Sequence, residues 1–206
     1  MPILQRLGLL TFVGLSLLLA TFLLDANTKA LPYGSGTYGS CQYGTCSLSL
    51  STSGTVSISA TPTVSGVYST QSDSVQVGTH ASTGYTLTMK DSDTNTDLVS
   101  GGDTVSRSAG TQASPIGLAL NTWGYRVDSL SGFGAGPTSA QTNSASSSYT
   151  FAGVPASNES THTLKVTSVA AEPAETTTVW YGVRLNDAKP SGTYTDLVTY
   201  TAVTNN

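Results

Sequence analysis

The chain has 206 residues, of which 38% are hydrophobic and only 10% charged, with a formal net charge of −4. That length fits one domain with a single core, and a negative balance with its cations scattered singly argues against a nucleic-acid partner, because no basic cluster would release phosphate counterions. Ser, Thr, Gly and Val dominate while Leu thins out after residue 24, a composition that suits pleated, half-buried strands and disfavours long helices.

The N-terminus carries one cation, Arg6, then an apolar run from Leu7 to Leu24 and a polar stretch ending in Thr28-Lys29-Ala30. Residues 1–30 therefore read as an export signal cleaved after Ala30. The run is longer than the roughly 7–15 residues of an ordinary signal core and reaches the roughly 17 needed to cross a bilayer, which keeps an uncleaved anchor open as the alternative. Membrane contact is expected through this segment alone, and the location is extracellular or at the cell surface.

Residues 31–46 repeat Tyr-Gly at Tyr33, Tyr38 and Tyr43. Such a glycine-rich stretch is too flexible to build a core and reads as a spacer, with a sticky arm or polymerisation segment as the sharper alternative. Cys41 and Cys46 are the only cysteines, and in an exported chain they are expected to close a small disulfide loop. A zinc site lacks ligands there, since the only histidines, His80 and His162, lie in distant segments.

From residue 47 to 206 the pattern is that of strands. Leu48, Leu50, Val56, Ile58 and Ala60 alternate with Ser and Thr until Pro62 ends the run. Short strands follow at 74–78, 85–90, 116–127, 149–154 and 161–169, the second with Tyr85, Leu87 and Met89 on one face. Residues 132–148 form a long Gly/Ser/Ala/Asn loop read as mobile. The cleanest alternation comes last, at 179–185 and 193–203, separated by the turn chemistry of Asn186 to Gly192, and it predicts a terminal β-hairpin with Tyr194, Val198, Tyr200 and Ala202 on its core face. About eight strands punctuated by Gly, Pro, Ser and Asn predict an all-β fold, an antiparallel β-sandwich with hairpin and Greek-key connections.

Three constellations bear on chemistry. Asp91, Asp93, Asn95 and Asp97 place side-chain oxygens at alternate positions, the spacing with which a tight loop wraps calcium. Thr96 stands where such a loop wants Gly, and Gly102 stands where it wants a bidentate Glu, with Asp103 as a substitute. An ordinary acidic turn explains the same residues. Trp123 and Tyr125, on one strand face, and Trp180 would stack on sugar rings if exposed and pack in the core if buried. A nucleophilic serine needs a positioned histidine and a sharp presenting turn, and no G-x-S-x-G elbow occurs; His80 and His162 read as solvated loop residues, and the chain as non-enzymatic.

The closing run Pro190-Ser191-Gly192-Thr193-Tyr194-Thr195-Asp196-Leu197-Val198-Thr199-Tyr200 resembles the last strand of bacterial secreted β-sandwich surface proteins, pilin-like and spore-coat-like subunits among them. The runs Asn121 to Tyr125 and Tyr85 to Met89, the latter with its acidic loop, look like repeat domains of adhesin-like cell-surface proteins. The resemblance implies an immunoglobulin-like or pilin-like antiparallel β-sandwich and a non-enzymatic surface or extracellular structural or adhesive protein that meets cell-surface partners or copies of itself. Its assembly would use exposed strand edges, with the strand from Leu48 to Ala60 donated to a neighbour. The alternative is a carbohydrate-binding module using Trp123, Tyr125 and Trp180.

Overall fold

The computed structural model describes Thr37–Tyr38, Cys41–Gln42 and residues 47–206. The export segment, residues 1–30, lies outside the described residues. So does Cys46, and with it the expected Cys41–Cys46 disulfide.

The described chain is all-β. In order it forms β1 (Thr37–Tyr38), β2 (Cys41–Gln42), β3 (Leu48–Ser51), β4 (Val67–Thr79), β5 (Tyr85–Asp91), β6 (Leu98–Ser100), β7 (Asp103–Arg107), β8 (Thr122–Val127), β9 (His162–Val166), β10 (Ala171–Leu185) and β11 (Val198–Thr204). β1 and β2 make a two-residue antiparallel ribbon inside the Gly/Tyr stretch. The others form a six-stranded sheet in the order β3-β4-β10-β8-β7-β6 and a three-stranded sheet in the order β11-β5-β9.

The long strands β4 and β10 are the spine of the larger sheet, paired from Leu185 opposite Val67 to Glu175 opposite Val77. The register slips between Ala171 and Glu175, around Pro173, which has no N–H to give to the ladder. The larger sheet is mixed rather than purely antiparallel, because β7 runs parallel to β8 through Ser106 opposite Thr122 and Arg107 opposite Trp123. Alternation in β5 sends Tyr85, Leu87 and Met89 inward, all fully buried, into one apolar cluster. From the larger sheet Val75, Val77, Trp123, Tyr125, Val127, Val179, Tyr181 and Val183 enter the same cluster.

The predicted terminal hairpin does not form. β10 pairs with β4 and β8 in the larger sheet, whereas β11 pairs with β5 in the smaller one. The expected inward face of the last strand holds, with Tyr194, Val198, Tyr200 and Ala202 packed against the core. Alternation decides which face a strand buries and leaves its neighbour open; β11 satisfies its ladder on β5, and the intervening residues cross from one sheet to the other.

Two further expectations change. The first strand spans only Leu48–Ser51, all exposed, and chain 52–62 carries no regular strand. Residues 149–154 form no strand either; Phe151 and Ala152 make single bridges to Ile116 and Tyr125.

The segment 132–148 is tied down rather than loose. Arg126, 1% exposed, donates through Nη2 to the carbonyls of Phe133, Gly134 and Ala135 and through Nη1 to that of Thr150, while its guanidinium lies over the Tyr149 ring. Further on, Tyr68 and Ser144 exchange backbone hydrogen bonds and Thr70 N–H donates to the Gln141 carbonyl, so this stretch continues the ladder along the β4 edge. Gly124 and Gly182 stand opposite one another in β8 and β10; Gly182 leaves room for the fully buried Phe151 ring, from which a Cβ would lie 2.6 Å, and Gly124 for the Ala152 carbonyl, from which a Cβ would lie 2.5 Å.

Candidate functional site: a buried carboxyl pair beneath the acidic loop

Loop 91–97 is a succession of turns in which each side-chain oxygen accepts from the backbone two residues on. Asp93 N–H donates to Asp91 Oδ1 at 3.0 Å, Asn95 N–H to Asp93 Oδ1 at 2.6 Å and Asp97 N–H to Asn95 Oδ1 at 3.3 Å. That local bonding is why Asp and Asn recur at alternate positions. The loop is also held from outside. Asp91 N–H donates to the Pro155 carbonyl, Ser92 N–H to that of Leu197, and Ser157 N–H to that of Asp93. Thr96, at the position that lacks Gly, is buried and accepts the indole N–H of Trp123 on its carbonyl at 2.9 Å.

Beneath the loop lies a residue the spacing did not reveal. Asp196, from the run leading into β11, lines an open cleft of about 350 Å³ together with Asp93, Asn95 and Asp97. Its carboxyl neighbours that of Asp91, and burial first, then the adjacent Asp91 carboxyl, push the Asp196 carboxyl up to about 7. Asp91 is fully buried. Oδ2 of Asp91 and Oδ2 of Asp196 are both buried without a hydrogen-bond partner. Two ionised carboxylates offer only acceptors to each other, so this contact calls for a proton or a cation between them. Asp103 opens β7 opposite Ser100 and is not among the residues lining the cleft. Among the described residues no three His, Cys, Asp or Glu side chains form a ready-made metal-ligating group, so the cleft is an oxygen-lined seat rather than a closed cage.

The aromatic residues sit in the interior. Trp123, Tyr125 and Trp180 are 3%, 0% and 6% exposed. Trp123 packs against Tyr181 at 6.3 Å between ring centres and Tyr125 edge-on against Phe133 at 5.6 Å. These three rings take the core role, which leaves the alternative carbohydrate-binding reading without the exposed faces it needs.

Both histidines have partners. His162 is half-buried, its Nδ1 2.7 Å from the Tyr125 hydroxyl, and burial lowers its pKa. It shares a polar cleft with Arg107 and Glu159, which form a two-pronged pair at 2.6 and 2.9 Å; this pairing holds the Glu159 carboxyl down at about 2. His80 is exposed, its Nδ1 2.6 Å from Ser47 Oγ and its Nε2 3.5 Å from Glu172. That contact brings a serine, a histidine and a carboxylate together, a juxtaposition invisible in the sequence because Glu172 enters from the bulged start of β10.

Compared with protein-family models, curated proteins and solved structures, the chain matches none. Among the described residues no helix is long and apolar enough to cross a membrane.

Proposed function

We propose that the chain is an exported, non-enzymatic structural or adhesive protein of the cell surface or extracellular space, a subunit that assembles through its sheet edge. In this reading the two sheets face one another as an immunoglobulin-like or pilin-like β-sandwich. The support for that arrangement is the single apolar cluster to which both contribute, and the class resembled is that of adhesin-like, pilin-like and spore-coat-like subunits.

The observation that carries the assembly reading is β3. It ends the larger sheet, all its residues are exposed, and Leu48 and Leu50 are each 39% exposed. It is paired on one side only, with Thr79 to Gln76 of β4. An uncharged edge strand with no ladder partner on its other side is a template for another strand. β3 follows on the Gly/Tyr-rich stretch whose composition reads as a spacer, and in this proposal that spacer lets it reach a neighbour.

The Ser47–His80–Glu172 contact is read here as a tie between the start of β3 and the end of β4. The His80 and Glu172 side chains are 48% and 53% exposed, and water screens an ion pair so placed. A serine-directed fluorophosphonate that labels Ser47 would overturn this point.

Cell fractionation with N-terminal sequencing, followed by light-scattering sizing of the mature protein, tests the whole reading. It predicts a chain beginning after Ala30, recovered outside the cytoplasm and larger than one subunit. A cytoplasmic monomer contradicts it.

A further inference from the structure

We infer that the Asp91 and Asp196 carboxyls, together with the oxygen-bearing lip of loop 91–97, form a binding site for a hard divalent cation of the calcium class. The inference is independent of how the protein assembles.

The first ground is the orphaned pair. Asp91 is fully buried and one of its oxygens has no partner; Asp196, which lines the cleft, has a second such oxygen. A buried acceptor left unpaired is costly, more so when charged. A cation seated between the carboxyls satisfies both oxygens at once and converts the repulsion into attraction.

The second ground is the chemistry of the surroundings. Asp93, Asn95 and Asp97 line the same cleft as Asp196, so every charged or amide group offered is an oxygen donor, with no sulfur or imidazole. Calcium takes six to eight oxygens in a flexible shell, including amide and backbone carbonyls and water, at about 2.3–2.6 Å. Two carboxylates completed by Asn95, a carbonyl and solvent suit it, and such a shell does not require three preset carboxylates. An open cleft suits a cation that keeps part of its hydration.

The third ground is rigidity. Asp91 N–H is bonded to Pro155, Ser92 N–H to Leu197, the Asp93 carbonyl to Ser157 and the Thr96 carbonyl to Trp123, so the loop need not be ordered by the ion it binds. The two carboxyls belong to the end of β5 and the approach to β11. A bound cation therefore clips the last strand onto the smaller sheet, a role for which stability is the natural readout.

The test uses the full mature chain stripped with chelator and titrated with calcium at constant ionic strength. The wild type is expected to gain about 5–10 °C in melting temperature when calcium stands a hundredfold above its Kd, since a ligand bound only to the folded state stabilises it. Asp196→Asn should abolish that gain while melting no lower than the wild type in chelator, because the substitution relieves the like-charge contact. Terbium offers a second readout. Its luminescence should be sensitised through Trp123, whose indole bonds to the loop, and should be displaced by calcium in the wild type and absent from Asp196→Asn. A wild-type melting temperature indifferent to calcium up to about 10 mM, beyond the range of weak extracellular sites, overturns the inference. So does an Asp196→Asn chain that keeps the full calcium gain.

Discussion

The hydroxyls of Tyr181 and Tyr200 lie 2.6 Å apart, with the Met89 sulfur 3.6 Å from Tyr181. Tyr181 belongs to β10 of the larger sheet and Tyr200 to β11 of the smaller one, so the two strands expected to be hairpin neighbours meet through side chains across the core. Burial raises the pKa of both phenols, and both stay neutral donors throughout the physiological range. Asp73 also faces Tyr200 and is itself bonded by Ser53 through N–H and Oγ. Tyr181→Phe is expected to destabilise the fold by about 1–3 kcal/mol, the loss associated with an unsatisfied buried polar group. The double variant Tyr181→Phe/Tyr200→Phe should lose less than the sum of the singles, as shared partners do. Urea unfolding of the four proteins measures this; strict additivity would show that the hydroxyls are not coupled.

Gly182 and Gly102 make a matched pair of substitutions. A Cβ on Gly182 meets the Phe151 ring at 2.6 and 2.7 Å, whereas one on Gly102 meets nothing within 4 Å. Gly182→Ala should destabilise by about 1–3 kcal/mol through overpacking, and Gly102→Ala should stay within about 0.5 kcal/mol of the wild type. Denaturant midpoints at unchanged m-value give the answer.

Acid should act in two stages. His162 has its pKa lowered by burial, so the stability this neutral imidazole contributes is complete above its ordinary value of about 6.5 and drains away as pH falls through that value towards the lower folded one. Glu159, held at about 2 by Arg107, keeps its contribution until pH falls below its unfolded value of about 4.3 and loses it towards 2. Asp196, raised to about 7, works the other way and adds stability as it takes up its proton between that value and its unfolded value of about 3.9, so the two losses are read from pH 8 to 3 as differences between the wild type and single variants. His162→Gln should remove the upper loss and Arg107→Met the lower one; a profile unchanged by His162→Gln contradicts the assignment.

Much of the interior was legible because period-two alternation reports burial directly. Tyr85, Leu87 and Met89 are fully buried as their spacing requires, and Trp123 and Tyr125 share the inward face expected of them. Partner choice was not legible: the pattern of residues 193–203 is the same whether that strand pairs with β10 or with β5. β6 and β7 escaped notice because Leu98–Ser100 and Asp103–Arg107 are short and flank Gly101-Gly102. The order in residues 132–148 depends on Arg126 reaching carbonyls, and a carbonyl leaves no mark in composition. At the acidic site the alternating oxygens of 91–97 stood in plain sight. Asp196 did not, because it arrives from the far end of the chain through the sheet crossing that the hairpin expectation missed.

The central claim, assembly through the free edge of β3, is tested most directly by light-scattering mass measurement of the mature protein beside a Leu48→Lys/Leu50→Lys variant. Charged side chains on an exposed edge oppose strand addition and leave the fully buried residues untouched, so the fold should survive in both. The account predicts multiples of the subunit mass for the wild type and a folded monomer for the variant. A wild type that stays monomeric at high concentration, or a variant that assembles as well as the wild type, contradicts it.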